Sequence, residues 1–279
     1  MTIIQRVLFF IGLILFGVNI AGFFIPLRNP EIYQQETGFH EDITLTEDEL
    51  YEVIDQKGET SAEYVTRLNQ ALNKGISHFW LDEGIDKYNL RIPIHENWWL
   101  FFASFINPEK YEKWEYINYK KAIERGVGLC SQHAIIMAQI LQENGLNSNI
   151  VELTGHAVVR VQIDQENDTW WIADPDYGVL IEYDLGEVEK DPEIIKTDYL
   201  EKGYAPVVVD NLAKIYGKEG NFILPSDVRE VYLDRYRTES RAYIFIWVIP
   251  AILILPYSLS YLHKKKDNKS VRYLWTMEL

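Results

Sequence analysis

Cys130 is the only cysteine in the 279 residues, and it heads a helical pattern. His156 follows a glycine at the start of a strand pattern, and Asp174 precedes a proline at the end of another. Together these residue types can carry out acyl transfer. A thiol on the first turn of a helix feels the positive end of the helix dipole and unpaired N–H groups, both of which favour the reactive thiolate. An imidazole titrates near neutrality, so His156 can accept the thiol proton and later deliver it to a leaving amine. A carboxylate on the other ring nitrogen, here Asp174, fixes the tautomer and favours the imidazolium. The backbone N–H of Cys130 can donate to the oxyanion of a tetrahedral intermediate. The sequence does not name a second donor, and Asn97, Trp98 and Trp99 are candidates. Gly128, just before the thiol, is expected to let the backbone turn tightly and leave the sulfur approachable.

These side chains need a helix followed by a sheet, and the pattern supplies both. Residues 131–144 keep apolar positions at Ala134, Ile135, Ala138, Ile140 and Leu141, with Gly145 where a left-handed cap belongs. Residues 149–153, 157–163, 170–173 and 179–183 are short β-branched or aromatic runs separated by turn residues such as Asn167-Asp168. They read as an antiparallel sheet linked by hairpins. Upstream, residues 44–122 read mainly as helix. Thr46 with Glu49 and Thr60 with Glu63 have capping-box spacing, and Tyr64, Leu68, Ala71, Leu72, Ile76 and Phe79 recur at helical intervals. The aromatic run from Trp98 to Phe102 is expected in a core. A helix carrying Trp114, Tyr116, Ile117 and Tyr119 should end near Gly126. After Gly186 the chain turns acidic and then mixed helical, with a helix start at Pro225-Ser226-Asp227-Val228 that is expected to run through Tyr236.

Taken together, G-L-C-S-Q-H-A, then T-G-H-A-V-V-R-V, then W-W-I-A-D-P-D-Y-G resemble the three-part signature of the transglutaminase-like superfamily, whose core is similar to that of papain. The resemblance covers residues 126–183. It implies an α+β fold in which the helix bearing Cys130 packs on an antiparallel sheet. By position it implies Cys130 as nucleophile, His156 as base and Asp174 as orienting acid, acting on amide bonds through a thioester. The family often has Thr where this chain has Asp176, which leaves two acids near the motif's end.

Both ends of the chain differ from its middle. Residues 7–27 and 242–262 carry no charge, and each run is about the ~20 residues that a helix needs to cross a bilayer. The first is expected to be a retained anchor rather than a signal peptide, because it is long and no small-residue cleavage site follows. Pro250 and Pro256 interrupt the second, which a membrane helix tolerates. Lys264, Lys265, Lys266, Lys269 and Arg272 follow it, placing both termini in the cytoplasm and the middle outside, at a plasma or inner membrane. The expected organisation is an anchor (1–27), a helical lead-in (28–125), the core (126–185), a helical extension (186–241), the second span (242–262) and a basic tail (263–279).

Six of the 27 Lys/Arg and two of the 42 Asp/Glu fall outside residues 28–241, so that stretch holds 21 basic and 40 acidic residues, a formal charge of -19. Such a surface argues against nucleic acid, whose binding draws on Lys and Arg. A peptide or protein substrate is the expected partner. No cofactor is implied, and one Cys with scattered histidines matches no zinc spacing. His133 is expected to be a packing or pocket-wall residue, while His40, His78 and His95 show no partner pattern. A non-catalytic binding or assembly module on the same fold is the competing reading, and a redox-sensing thiol is a third.

Overall fold

The structure is a computed structural model describing residues 2–34, 43–217 and 220–275. In chain order it contains α1 (Ile3–Gly22), α2 (Glu47–Ile54), α3 (Ser61–Gly75), β1 (Ser77–His78), α4 (Ile94–Ile106), α5 (Pro108–Tyr111), α6 (Tyr119–Arg125), β2 (Val127–Gly128) and α7 (Cys130–Glu143). There follow β3 (Ser148–Leu153), β4 (His156–Asp164), β5 (Thr169–Asp174), β6 (Val179–Ile181), α8 (Leu185–Val188), α9 (Lys196–Glu201), α10 (Pro206–Tyr216), β7 (Phe222–Ile223), α11 (Val228–Val231) and α12 (Leu233–Trp275). The fold is α+β. His40 lies outside the described residues.

Two compact units divide the chain, one made of residues 27–90 and 113–237, the other of 1–26, 91–112 and 238–279. In the first, five strands run in the order β6-β5-β4-β3-β7, every neighbouring pair antiparallel. Both alternations of the sheet are buried, so helices must cover both faces. Val151, Leu153, Val158, Ile172, Val179 and Ile181 form one core with Leu185, Val188, Tyr199, Val209, Leu212 and Tyr216 from α8, α9 and α10. Helix α7 packs on β3 and β4, with every side chain from Gln132 to Leu141 buried.

Local signals decided most of these elements. Both capping boxes form, with Thr46 and Thr60 accepting from the backbone of Glu49 and Glu63. Gly126 closes α6 and Gly145 follows α7, both at positive φ. Some expectations need correction. The helix over Tyr64 stops at Gly75; Ile76 and Phe79 are buried but lie outside it, because Ser77–His78 instead pairs in parallel with Val127–Gly128. Trp114, Tyr116 and Ile117 are buried in irregular chain ahead of α6. Their backbone finds partners in side chains: Gln132 accepts from the Tyr116 N–H at 2.7 Å and donates to its carbonyl at 2.9 Å. The helix begun at Asp227 is interrupted at Tyr232, whose backbone is not helical, before α12 starts at Leu233.

In the second unit, α1 and the part of α12 up to Tyr261 are each long and apolar enough to cross a membrane. Helix α1 ends at Gly22, short of the end of the apolar run. The two helices pair antiparallel. Gly12 sits where a Cβ would meet the Pro250 carbonyl and Ile254 at 2.9 Å, so only glycine allows that approach. Asn19 donates to the Ile246 carbonyl at 2.5 Å, and Phe9 stacks on Tyr257 at 4.2 Å. Both prolines are inside α12. The aromatic run, expected as core, divides: Trp98 and Leu100 are buried, whereas Trp99, Phe102 and Phe105 are exposed.

Candidate functional site

Cys130 is the first residue of α7, and the preceding Leu129 gives no side-chain cap. The Leu129 carbonyl accepts from the N–H groups of Gln132 and His133 at 2.9 and 3.2 Å, which leaves those of Cys130 and Ser131 for an incoming oxygen. The helix start is held from beneath. Gln132 is bound to Tyr116 as above, and the fully buried Arg125 donates to its side-chain oxygen at 3.1 Å and to the Val127 carbonyl at 2.8 Å. Gly128 is required for space rather than for a left-handed turn, because a Cβ there would stand 2.5 Å from that of Gln132.

His156 is the first residue of β4, delivered by the Thr154-Gly155 turn with Gly155 at φ 85°. Leu153 pairs with His156, and Val159 pairs with Ala173. One step along from Ala173, Asp174 lies beside Val158, whose sheet face His156 shares. The two side chains meet: His156 Nε2 stands 2.8 Å from Asp174 Oδ2. The ring also makes a side-chain hydrogen bond with Cys130. The Cys130 sulfur, a ring nitrogen of His156 and a carboxylate oxygen of Asp176 all lie within 4.8 Å of one another. Cys130 is partly exposed, while His156 and Asp174 are buried.

Asp174 accepts four hydrogen bonds, the number an ionised carboxylate takes. Oδ2 also accepts from the Tyr199 hydroxyl at 2.7 Å, and Oδ1 accepts from the backbone N–H of Asp176 and Tyr177 at 3.2 and 3.1 Å. Tyr199 in turn lies 3.1 Å from the hydroxyl of Tyr216. Helix α3 pins the turn that follows: Asn73 donates to the Asp176 carbonyl at 2.7 Å and Asn69 to that of Val179 at 2.9 Å. Gly178, at φ 66°, leaves room for Asn73 that a Cβ would take.

Asp176 anchors a second network. Both its carboxylate oxygens lie 2.9 Å from His78 Nδ1, and Oδ1 lies 3.6 Å from His133 Nδ1. His78 therefore has a partner, which its sequence neighbourhood did not show. His133 does more than pack. Fully buried, its Nδ1 is 2.9 Å from the Leu129 carbonyl and its Nε2 3.0 Å from that of Ile76. Carbonyl oxygens only accept, so a ring nitrogen that bonds either of them must carry the proton.

Electrostatics follow from these contacts. Burial by itself pulls His156 down, but the charge and hydrogen bond of Asp174, the contact with Cys130 and the charge of Asp176 together hold it well above its ordinary value. Burial likewise pushes Asp176 up, yet His133, His78 and His156 outweigh it and hold this carboxyl down at about 2. The two carboxylates thus favour the imidazolium form of His156 beside the Cys130 side chain. The same convergence of sulfur, imidazole and carboxylate is a donor set that zinc accepts. Asn97, Trp98 and Trp99 belong to the other unit, where Asn97 Oδ1 accepts from the Leu100 N–H at 3.1 Å.

Comparison of this chain with protein-family models, with curated proteins and with solved structures finds no match.

Proposed function

We propose that this chain is a membrane-tethered cysteine enzyme that hydrolyses or transfers acyl groups at amide bonds of a peptide or protein substrate, in the manner of the transglutaminase-like enzymes its motifs resemble. The observation that carries this reading is the line from the Cys130 sulfur, across the His156 ring, to the Asp174 carboxylate. Cys130 attacks the carbonyl carbon as thiolate, and His156 holds the thiol proton. The developing oxyanion is met by the open N–H groups at the start of α7. As the tetrahedral intermediate collapses, the carbon–nitrogen bond breaks, His156 protonates the leaving amine, and a thioester on Cys130 remains. Water or a second amine then attacks the thioester, His156 takes the attacker's proton, and sulfur leaves as thiolate. Asp174 keeps the ring aligned throughout. The helices α1 and α12 are the proposed tether, with the sheet unit outside the cytoplasm.

The test is alkylation of Cys130 by iodoacetamide below neutral pH, where an ordinary thiol reacts slowly. The native chain should label fast and His156→Ala slowly, with both folded by circular dichroism. Equal rates in the two would remove the case for a thiolate made by His156.

A further inference from the structure

Broken once at Asn97, whose backbone is not helical, α4 buries Trp98 and Leu100 but exposes a second apolar face. Its polar Asn97 and Ser104 are buried, at 0% and 1% exposure, while Trp99, Phe102, Phe105 and Ile106 form an exposed stripe at helical spacing, with Ile106 at 84%. A surface helix in water buries its apolar stripe instead. We infer that α4 is a membrane-interface helix whose Trp99, Phe102, Phe105 and Ile106 stripe is buried among lipid chains at one boundary of the bilayer. This rests on the reading of α1 and α12 as membrane spans.

Lipid is the occupant because of where α4 sits within its own unit. Its first turn meets the ends of both apolar helices. Gly22, the last residue of α1, lies so close to the His95 carbonyl that no Cβ fits between them. Tyr243, at the start of the apolar run of α12, donates its hydroxyl to Glu96, and Phe245 meets Trp99 edge-on at 5.4 Å. Phe23 and Phe24, directly after α1, are likewise 75% and 81% exposed. With 13 residues interrupted at Asn97, α4 is at most ~20 Å long and cannot cross a ~30 Å core. Charge also bars its crossing. Arg91 precedes it and pairs at 2.8 Å with Glu112 beyond it, and Lys110 and Lys113 follow. A short helix with polar flanks and aromatic side chains on its exposed face lies along an interface.

The test uses the full chain in phosphatidylcholine nanodiscs, in a Cys130→Ser background, with a nitroxide label introduced by Phe102→Cys or Phe105→Cys. Leu255→Cys, on the exposed side of α12, is the lipid control, and Glu166→Cys, in an exposed hairpin turn, is the aqueous control. The labels on α4 should relax several-fold more with oxygen than with a water-soluble nickel chelate, as at Leu255, with Glu166 showing the reverse. Labels on α4 that behave like Glu166 while Leu255 stays lipid-like overturn the inference and leave the anchors intact. An aqueous Leu255 label removes the anchor reading, and this inference with it.

Discussion

Asp174 and Asp176 flank Pro175 yet hold different histidines: Asp174 Oδ2 lies 2.8 Å from His156 Nε2, and both oxygens of Asp176 lie 2.9 Å from His78 Nδ1. Asp174 is the last residue of β5 and shares the face of His156, whereas Asp176 is in the turn beyond, where α3 holds its carbonyl. The two acids are therefore expected to differ in effect.

Asp174→Asn keeps the shape of the carboxylate and removes its charge. His156 should then titrate closer to its ordinary value, and the imidazolium that accompanies the thiolate becomes correspondingly scarcer. Alkylation of Cys130 at neutral pH should slow by about tenfold or more, because a pKa lower by one is a tenfold change in equilibrium. Asp176→Asn leaves the His156 to Asp174 contact in place and should slow it less. Rates measured against pH for both variants check this, and a larger effect from Asp176→Asn would reverse the assignment.

The Asp176 carboxyl, ordinarily near 3.8, is held at about 2 in the folded chain. A depressed folded value means stability that is present above the unfolded value and lost as pH falls through the folded one. The loss should fall between about pH 4 and pH 2 and amount to about 2 kcal/mol. The groups facing Asp176 are His78 on β1, His133 and Cys130 on α7, and His156 on β4. Thermal unfolding of the detergent-solubilised chain should therefore fall less steeply with acid in Asp176→Asn than in the native protein.

Tyr199→Phe removes the hydroxyl that donates to Asp174 Oδ2 at 2.7 Å while keeping the buried ring. One lost hydrogen bond to a charged group is worth about 1.5–3 kcal/mol. Denaturant midpoints should show this loss, together with slower alkylation of Cys130, because the carboxylate can then swing away from His156. Unchanged alkylation would confine Tyr199 to packing.

His133→Phe fills the space but leaves the Leu129 and Ile76 carbonyls without that ring and removes one of the histidines beside Asp176. Leaving a buried polar group without its partner costs about 1–3 kcal/mol. A urea midpoint within error of the native chain would show that these ring contacts contribute nothing to stability.

By itself the sequence determined the elements whose signals are local. Capping boxes at Thr46 and Thr60, glycines at the ends of α6 and α7, the apolar period of α7, the β-branched and aromatic runs of β3 to β6 and the two uncharged runs each depend on side chains within a turn or a strand of one another. Three chemically suggestive residues in order were legible for the same reason. Tertiary structure decided the rest. His78 reaches Asp176 across 98 residues, and Tyr199 reaches Asp174 from α9. The two-residue strands Ser77–His78 and Phe222–Ile223 are too short to carry a period. The aromatic run of α4 reads the same whether its stripe meets protein or lipid, and the burial of Asn97 and Ser104 shows which face turned inward. Contacts of this kind depend on where distant segments come to rest, and no local pattern encodes that.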